Sequence, residues 1–446
     1  MTAIFDEQPA GAPLTVERVL GDYRLDSGKY SGKPLIQIWA EDRNYLLWSA
    51  NLAKNPCTYP PPRLKVELIK IANLIESGEH EKAVELYRDL KHWIDLTENG
   101  VGLSELPRPS REECMAIISS CTILGGHADL DGIYSLAIAM HAGGALEHGR
   151  MKGAFARLRL FRYGFRQLLD YTNAIGADKD DTVVVIDFSA HPQAALNLDH
   201  HTTSLCYWDL GSPLPVGVYE PSMPSCPRLL ATFCGLKLDE DLLCGCDMVD
   251  GALYSSVEQT TDFTNPYVAL EHCLSLDVSD TIAKKVALLL AEHALDPYAV
   301  LDQPSWKSRV DLLKHELEEQ RMFWARSNRI HFHGDLISIA DSRLAPYSPS
   351  RFRYLPFEND RVRGLPYLIT VRPAGYSKVN LSVSRNPFFA KPEFYVENPI
   401  NLGALAKSMG KGGGRKEVSS LTLDVHQLSG AIDQVVAAIE LSVQVK

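Results

Sequence analysis

Residues 182–188, TVVVIDF, carry the pattern that decides the fold. A short continuous run of apolar, β-branched residues is typical of a strand that is buried on both faces. A similar short strand is predicted at 121–126, CTILGG, and a helix follows it over 131–146. Buried strands that alternate with helices predict an α/β fold with a parallel sheet.

Acids and histidines follow these predicted strands. The first strand runs into His127, Asp129 and Asp131, whose alternate spacing lets three side chains converge from a short extended segment. Asp187 ends the second strand, and the triplet 199–201, Asp-His-His, stands at the next predicted strand end. Functional groups in open α/β sheets gather beyond the carboxyl ends of the strands, so we expect these side chains to meet.

A fourth acidic cluster lies in 244-CGCDMVDGALY-254, where Asp250 follows Asp247 by one helical turn. Asp247 is predicted to reach the same site, whereas Asp250 fits a supporting role or a surface position equally well. Each position also has an ordinary alternative. A single aspartate after a strand is usually a turn or helix cap, and a lone histidine is more often a hydrogen-bonded core residue. Four such clusters in this order at element ends rarely coincide by chance.

The chemistry of these residues predicts a metal site. Acids gathered this closely repel each other unless a positive charge neutralises them. Carboxylates with one or two imidazoles suit Mn²⁺, with Mg²⁺ as an alternative. Two such ions can clamp a phosphate and lower the pKa of a bridging water, and Asp187 is the central candidate for the bridging carboxylate.

The length of 446 residues predicts two or three domains. We expect an N-terminal module over 1–110, with a small hairpin and a helical segment in 21–51 and a helical hairpin over 63–96. The α/β domain with the acidic clusters spans 111–300, and a long linker helix spans 301–330. A smaller α/β domain over 331–446 contains the glycine-rich stretch 412-GGGRKEVSS-420.

Composition excludes several classes of protein. A net charge of −11 argues against a generally basic nucleic-acid coat protein, although a local basic groove remains compatible with it. The first residues lack the pattern of a signal peptide, and no apolar run approaches the roughly 20 residues that span a bilayer. Nine scattered cysteines indicate reduced thiols, so the expected location is the cytoplasm, without membrane contact.

The ordered set His127-x-Asp129-x-Asp131-Gly132, Asp187, Asp199-His200-His201 and Asp247 resembles the DHH phosphoesterase superfamily, which is named after the triplet. The first motif, HADLDGI, is closer to RecJ-like and oligonucleotide-degrading members than to the pyrophosphatase branch. The resemblance implies a DHH catalytic domain that is joined by a long helix to a smaller substrate-binding domain.

The resemblance also implies roles for individual residues. Two Mn²⁺ ions would be held by Asp129, Asp131, Asp187, His200 and Asp247, with His127 as a further ligand or a support for one. His201 would lie near the scissile phosphate. Asp199 would orient the two histidines.

The last domain resembles the substrate-binding domain that accompanies DHH domains, in which a glycine-rich stretch approaches the substrate with bare backbone. Here this stretch is Gly412, Gly413 and Gly414. The family often has histidine after the glycines, whereas this chain has Arg415, which can still bind a phosphate through two hydrogen bonds. Arg385, at the end of a predicted strand, resembles a second phosphate-binding position. A glycine-rich basic loop can also be merely flexible and solvated.

The segment 28–48 weakly resembles the C-terminal module of exodeoxyribonuclease X. In that case Lys29, Tyr30 and Lys33 would contact a single strand, since amines and an aromatic ring suit phosphates and bases. Docking of another protein, or a purely structural role, fits the segment about as well.

Three functions remain open from the sequence. The preferred hypothesis is a two-metal phosphodiesterase that degrades single-stranded or short nucleic acids from an end. The alternative keeps the chemistry but takes a small phosphate compound, such as a cyclic dinucleotide, a nucleotide or polyphosphate. A non-enzymatic binding protein would be expected to lack ligands, and none of the principal ones is missing. The oligomeric state stays open, and a dimer is compatible with the sequence.

Overall fold

The computed structural model describes residues 14–20, 34–51, 63–98, 102–106, 108–144, 146–147, 150–151, 157–161, 173–201, 204–205, 214–276, 280–326, 329–346, 351–391, 393–397, 400–409, 412–414 and 417–444. The hairpin predicted before residue 34, with Lys29, Tyr30 and Lys33, lies outside these ranges. Arg415 also lies outside them.

Four helices form the N-terminal part of the described chain: α1 (Val16–Leu20), α2 (Leu35–Asn51), α3 (Arg63–Glu76) and α4 (His80–Glu98). Their apolar residues recur at helical spacing and share one buried cluster that includes Ile38, Ile69 and Leu90. Gly78 joins α3 to α4 with φ of +84°, a left-handed conformation that glycine adopts without steric cost. The predicted helical hairpin is therefore confirmed.

A parallel sheet forms the centre of the chain, with strand order β4-β1-β5-β6-β7. The strands are β1 (Ile123–His127), β4 (Arg157–Phe161), β5 (Val183–Ile186), β6 (Ala194–Asp199) and β7 (Gly217–Tyr219), and β2 (Leu146–Glu147) pairs with β3 (Arg150–Met151) separately. All four residues of β5 are buried, as the apolar run predicts. The fold class predicted from the sequence is confirmed.

Helices cover this sheet: α5 (Arg111–Ser120), α6 (Leu130–Ala142), α7 (Cys226–Phe233), α8 (Glu240–Asp250), α9 (Pro266–Ser275), α10 (Asp280–Glu292) and α11 (Tyr298–Leu301). Gly126 allows α6 to pack close to β1, because a Cβ there would lie 2.7 Å from the Ile186 carbonyl oxygen and 3.2 Å from Leu136. Eleven of the thirteen residues of α6 are buried. The first turn of α6 is thereby fixed against the carboxyl ends of the strands.

The long helix α12 (Pro304–Arg326) precedes a second sheet of order β12-β13-β11-β10-β9-β8. Its strands are β8 (Ile330–His333), β9 (Ile337–Asp341), β10 (Tyr367–Pro373), β11 (Lys378–Arg385), β12 (Gly412–Gly414) and β13 (Val418–Asp424). The helices of this part are α13 (Asp360–Arg363), α14 (Glu393–Glu397), α15 (Leu402–Ser408) and α16 (Leu428–Gln444). The sheet is antiparallel except between β9 and β10.

Two features of this part bear on the sequence predictions. The linker helix is found where it was predicted, within a few residues at each end. The glycine stretch, expected as a loop, instead forms the edge strand β12, whose Gly413 pairs with Ser420. The domain boundaries themselves stay a prediction. Within the described residues, no helix combines the length and the apolar character needed to cross a membrane.

Candidate metal centre

Asp187 lies directly after β5, in the middle of the sheet edge. Its φ of +56° is uncommon for a residue with a Cβ atom, although aspartate tolerates this region better than most residues. Its N–H donates to the Leu198 carbonyl at 2.8 Å, which ties the turn to β6. The side chain is buried, and among the described residues neither of its carboxylate oxygens has a hydrogen-bond partner. A buried carboxylate without donors is costly unless a cation supplies the missing interaction.

The junction of β1 and α6 supplies three more groups. Asp129 caps the helix, because its carboxylate accepts a hydrogen bond from the Gly132 N–H at 3.0 Å and also lies 2.6 Å from His127 Nδ1. A Cβ at Gly132 would lie 2.3 Å from the His127 carbonyl oxygen, so only glycine permits this turn. Asp131 is buried and accepts from the Cys226 N–H, at 2.9 and 3.2 Å to its two oxygens. The start of α7 therefore holds Asp131 in place.

The end of β6 supplies the two histidines. His200 places Nδ1 3.0 Å from the Met223 carbonyl oxygen, an acceptor. In the neutral ring this nitrogen therefore carries the proton, and Nε2 keeps the lone pair that an ion can bind. His201 Nδ1 lies 2.8 Å from Asp199 Oδ1, which also accepts from the His201 N–H at 3.3 Å. Asp199 thus holds the ring of His201, while the Met223 carbonyl holds that of His200. The resemblance implied that Asp199 orients both histidines, and that role stays a prediction. Outer partners of this kind fix the tautomer and direction of a ligating imidazole.

These side chains converge. His200 Nε2 lies 3.4 Å from Asp131 Oδ2, 3.5 Å from Asp187 Oδ1 and 3.4 Å from Asp250 Oδ2. The separations exceed those of charge-assisted hydrogen bonds, and they suit ligands that each contact one ion at about 2.1 Å. The candidate ligands form three groups, and within each group one ligand atom of every residue lies within 4.8 Å of those of the others. The groups are Asp187, His200 and His201; His127, Asp129 and Asp187; and Asp131, His200 and Asp250. Asp187 belongs to two of them.

Asp247 and Asp250 take different positions from those expected. Asp247 accepts from Ser225 Oγ at 2.5 Å and forms an ion pair with Arg228 Nε. It does not join any of the three groups. Asp250, one turn later, turns its buried Oδ2 toward His200 instead. The structure therefore brings Asp250, rather than Asp247, together with the other candidate ligands.

The electrostatics of the centre favour a bound cation. Burial, reinforced by Asp131 and Asp129, raises the pKa of Asp187 well above its usual value. Burial and Asp131 raise the pKa of Asp250 to about 7. Although burial alone would lower the pKa of His200, Asp131 and Asp187 raise it to about 12. The cluster thus takes up protons when no cation compensates its charge, and its orphaned oxygens and Nε2 lone pair fit a divalent ion.

Glu271 and Arg353 border the centre and were not predicted. Glu271, on α9, accepts from the Leu130 N–H at 3.3 Å. Its burial and the neighbouring Asp129 raise the pKa of Glu271 to about 7. Arg353 lies over the Tyr354 ring at 4.9 Å, and Tyr354 in turn contacts Tyr254 with ring centres 5.7 Å apart. No motif surrounds either residue in the sequence, and their proximity to the site comes from packing between distant segments.

The predicted phosphate-binding residues of the last domain are only partly placed. Gly412, Gly413 and Gly414 form the edge strand β12. Arg385 points to its own domain: its Nη2 donates to the Ile400 carbonyl at 3.2 Å, and its guanidinium lies over the Tyr395 ring at 5.0 Å. Arg385 therefore serves the packing of α14 in this structure.

Comparisons with known proteins add a likeness of fold. No protein-family model and no curated protein matches the chain. Among solved structures, a pGpG-specific phosphodiesterase, PggH from Vibrio cholerae, is 14% identical with a TM-score of 0.49, covering 72% of this chain and 99% of that one. The DHH domain of a protein described as a member of a family of ribosomal proteins is 12% identical with a TM-score of 0.47, over 82% of this chain and 99% of that one.

RecJ of Thermus thermophilus in complex with Mn²⁺ is 15% identical with a TM-score of 0.44, over 91% of this chain and 61% of that one. At these identities and scores the likeness carries no argument about substrate or activity.

Proposed function

We propose that the protein is a metal-dependent phosphoesterase that uses two divalent ions, with Mn²⁺ preferred and Mg²⁺ as an alternative. One observation carries the proposal: Asp187 is buried, has two oxygens without hydrogen-bond partners among the described residues and belongs to two of the three groups of candidate ligands. A single carboxylate in that position can bridge two ions. Bound there, the ions would clamp a phosphate and lower the pKa of a water between them.

The proposed ligands of each ion are the candidate ligand groups whose atoms lie near Asp187. His127, Asp129 and Asp187 would hold one ion. Asp131, His200 and Asp250 would hold the other, with Asp187, whose Oδ1 lies 3.5 Å from His200 Nε2, as the shared ligand. Asp250 replaces Asp247 in this assignment because Arg228 already neutralises Asp247. Buried carboxylates in such numbers are stable only next to compensating charge.

His201 is proposed to contact the substrate phosphate. Its Nδ1 is engaged by Asp199 and it is partly exposed, whereas His200 is buried. A doubly protonated imidazole in this position would donate from its other ring nitrogen to a phosphate oxygen while Nδ1 donates to Asp199. Burial opposes a charge on Asp199, yet the adjacent imidazole of His201 lowers the pKa of Asp199, so it stays a carboxylate.

The proposed substrate is a single-stranded or short nucleic acid, cleaved from an end. A small phosphate compound, such as a cyclic dinucleotide, a nucleotide or polyphosphate, is the second candidate. The net charge of −11 favours it, because long strands are usually held through many cationic contacts.

A panel of substrates tests both the proposed metal-dependent hydrolysis and the proposed class of substrate. Full-length protein with Mn²⁺ is incubated with linear oligonucleotides of increasing length, cyclic dinucleotides and mononucleotides, and the products are sized. Hydrolysis of short linear strands from one end is expected, with Asp187→Asn losing activity by a factor of about 10³ or more. Activity on mononucleotides alone would exclude the nucleic-acid substrate. Full Mn²⁺-dependent activity in Asp187→Asn would refute the metal-centre assignment.

A further inference from the structure

A short connecting segment, residues 102–106 and 108–110, lies between α4 and α5 and packs against the edge strand β7 of the parallel sheet. It contains one 3₁₀ turn, Leu103–Glu105, and ends at Ser110, whose hydroxyl caps α5. The connecting segment therefore links the four N-terminal helices to the part of the chain that carries the candidate metal centre.

Apolar side chains fix the connecting segment on this edge of the sheet. One buried cluster joins the two parts of the chain: Leu96, Leu103, Ala190, Leu205 and Tyr219. Tyr219 ends β7 and pairs in register with Asp199, the last residue of β6. Apolar packing is not directional, so the cluster holds the segment in place without aligning any polar group. The N-terminal part thus reaches the strand end that carries the two histidines.

Arg108 adds directed contacts to this apolar packing. Its Nη2 donates to Glu220 Oε2 at 3.2 Å and also to the Ser104 carbonyl oxygen. Its guanidinium lies 4.8 Å from the centre of the Phe233 ring, at the end of α7. The Glu220 side chain is only 14% exposed, so solvent screens this ion pair less than a pair on the open surface. A guanidinium held at two further points fixes the Glu220 carboxylate in direction as well as in distance.

Glu220 begins the turn that supports His200. The Glu220 N–H donates to the Asp199 carbonyl at 3.1 Å, and the Glu220 carbonyl accepts from the Met223 N–H at 3.0 Å. Glu220 Oε1 accepts from Ser222 Oγ at 2.8 Å, within the same turn. The Met223 carbonyl lies 3.0 Å from His200 Nδ1. The turn therefore carries the group that fixes the direction of the His200 ring.

The turn is stiff enough to pass a displacement on to the histidine. Pro221 and Pro224 lie within it, and the proline ring restricts φ to about −65°. A movement of Glu220 is therefore transmitted to Met223, because little of it is absorbed by backbone rotation. Metal ligands keep their distances within about 0.2 Å, so a small shift of the Met223 carbonyl is enough to weaken the binding of an ion by His200.

We propose that Arg108 is a positioning residue for the metal centre, because its ion pair with Glu220 holds the turn whose Met223 carbonyl orients His200. The N-terminal helices thereby contribute to the affinity of the centre for its ion, through the connecting segment. The inference rests on the proposed function, since it treats His200 as a ligand of a divalent ion, and it goes beyond that function by giving the N-terminal part a role.

Arg108→Gln tests this role in the full-length protein, because it removes the charge and keeps a side chain that forms hydrogen bonds. Calorimetric titration with Mn²⁺ should show binding about threefold to tenfold weaker than native. This loss is smaller than the roughly tenfold to hundredfold loss that follows removal of a direct partner of a ligand. Arg108→Lys should keep most of the native affinity, because an ammonium group can still pair with Glu220.

A double-mutant cycle shows whether Arg108 acts through Glu220. Glu220→Gln alone should weaken Mn²⁺ binding by a similar factor, and adding Arg108→Gln should then change the affinity by no more than about twofold. A full further loss in the double variant would contradict this route.

Arg111→Gln is the matched control. Arg111 Nη2 donates to the Gly235 carbonyl at 2.7 Å, beyond the end of α7, so this arginine also ties α5 to the neighbouring chain but does not touch the turn. The control variant should bind Mn²⁺ within about twofold of native. Equal losses of Mn²⁺ affinity in Arg108→Gln and Arg111→Gln would overturn the inference.

Hydrogen–deuterium exchange in EDTA tests the turn without any metal. Peptides that cover residues 217–226 should exchange at least about threefold faster in Arg108→Gln than in the native protein, and at the native rate in Arg111→Gln. Native exchange in Arg108→Gln would overturn the inference whatever the titration gives. A native protein that does not bind Mn²⁺ would instead overturn the proposed function, and the exchange rates would still decide whether Arg108 holds the turn.

Discussion

Asp247 and Asp250 show how a single helical turn separates two roles. Both lie on α8 and both are largely buried. Asp247 meets a guanidinium and a hydroxyl, so its charge is compensated within the protein. Asp250 meets His200 and other acids, and its Oδ2 has no hydrogen-bond partner in the described chain. The difference is one of surroundings, because the two side chains are chemically identical.

Replacing each aspartate by asparagine tests this difference. Asp250→Asn should lower the affinity for Mn²⁺ by at least about tenfold, because a ligand charge is lost. Asp247→Asn should leave the affinity within about twofold of native, but should lower the free energy of unfolding by about 1–3 kcal/mol, since Arg228 loses its buried partner. Calorimetric titration measures the affinity and urea unfolding the stability. A larger loss of Mn²⁺ affinity in Asp247→Asn than in Asp250→Asn would instead assign the ligand role to Asp247.

At the scale of elements, α9 joins the parallel-sheet part of the chain, which carries the candidate metal centre, to the segment after β9. His272 of α9 is buried between the rings of Phe263 and Phe352, with centroid distances of 5.5 and 5.1 Å. Its Nε2 lies 2.9 Å from the Thr260 carbonyl oxygen. Burial lowers the pKa of His272 to about 4, despite that hydrogen bond. The same segment carries Arg351, which forms an ion pair with Glu316 of α12. This packing holds Arg353 near the metal centre.

His272 should make stability depend on pH below neutrality. Its pKa is about 4 in the folded state and near 6.5 in the unfolded chain, so the unfolded state binds more protons between these values. Stability should be unaffected by His272 above pH 6.5 and should fall as the pH drops toward 4, by up to about 3 kcal/mol. Urea unfolding from pH 4.5 to 7.5 measures the slope of the free energy of unfolding against pH. His272→Gln should reduce this slope.

His293→Gln serves as the control for this prediction, because His293 is exposed. That variant should keep the native slope. An unchanged slope in His272→Gln would show that folding does not lower the pKa of His272.

At the scale of the whole molecule, the parallel-sheet part of the chain is folded around a cluster of buried carboxyl groups. Asp131, Asp187 and Asp250 lie within reach of one imidazole, and His200 supplies the compensating proton when no cation is bound. An ion that binds the folded state alone stabilises it by mass action. A neutral side chain in place of the buried Asp187 carboxylate relieves the same repulsion without an ion.

The order of thermal stability of the native protein and Asp187→Asn should therefore reverse when Mn²⁺ binds. In EDTA, Asp187→Asn should have the higher Tm, because a buried carboxyl group that must be protonated or else repel Asp131 is replaced by a neutral amide. At a Mn²⁺ concentration a hundredfold above Kd, the native protein should gain about 2.7 kcal/mol per ion and a Tm several degrees higher. Differential scanning calorimetry measures both. A native Tm that does not respond to Mn²⁺ would contradict a metal centre at Asp187.

The sequence by itself determined the local features that depend on neighbours along the chain. The apolar run before Asp187 specifies a buried strand, helical spacing specifies α3, α4 and α12, and the order of motifs places acids at strand ends. The parallel sheet then brings the candidate ligands to one edge. The predicted role of Asp187 as the shared carboxylate agrees with its position in two ligand groups and stays a prediction until a metal is located.

Only the tertiary structure decided which of two equivalent acids faces the site and how the predicted phosphate-binding arginine is engaged. Asp247 and Asp250 are both plausible from spacing, and the choice depends on Arg228 packing beside one of them. Arg385 matched a family motif, yet in the structure its guanidinium binds the Ile400 carbonyl within its own part of the chain. A side chain's surroundings are set by segments that lie far from it along the chain, and for that physical reason local sequence cannot specify them.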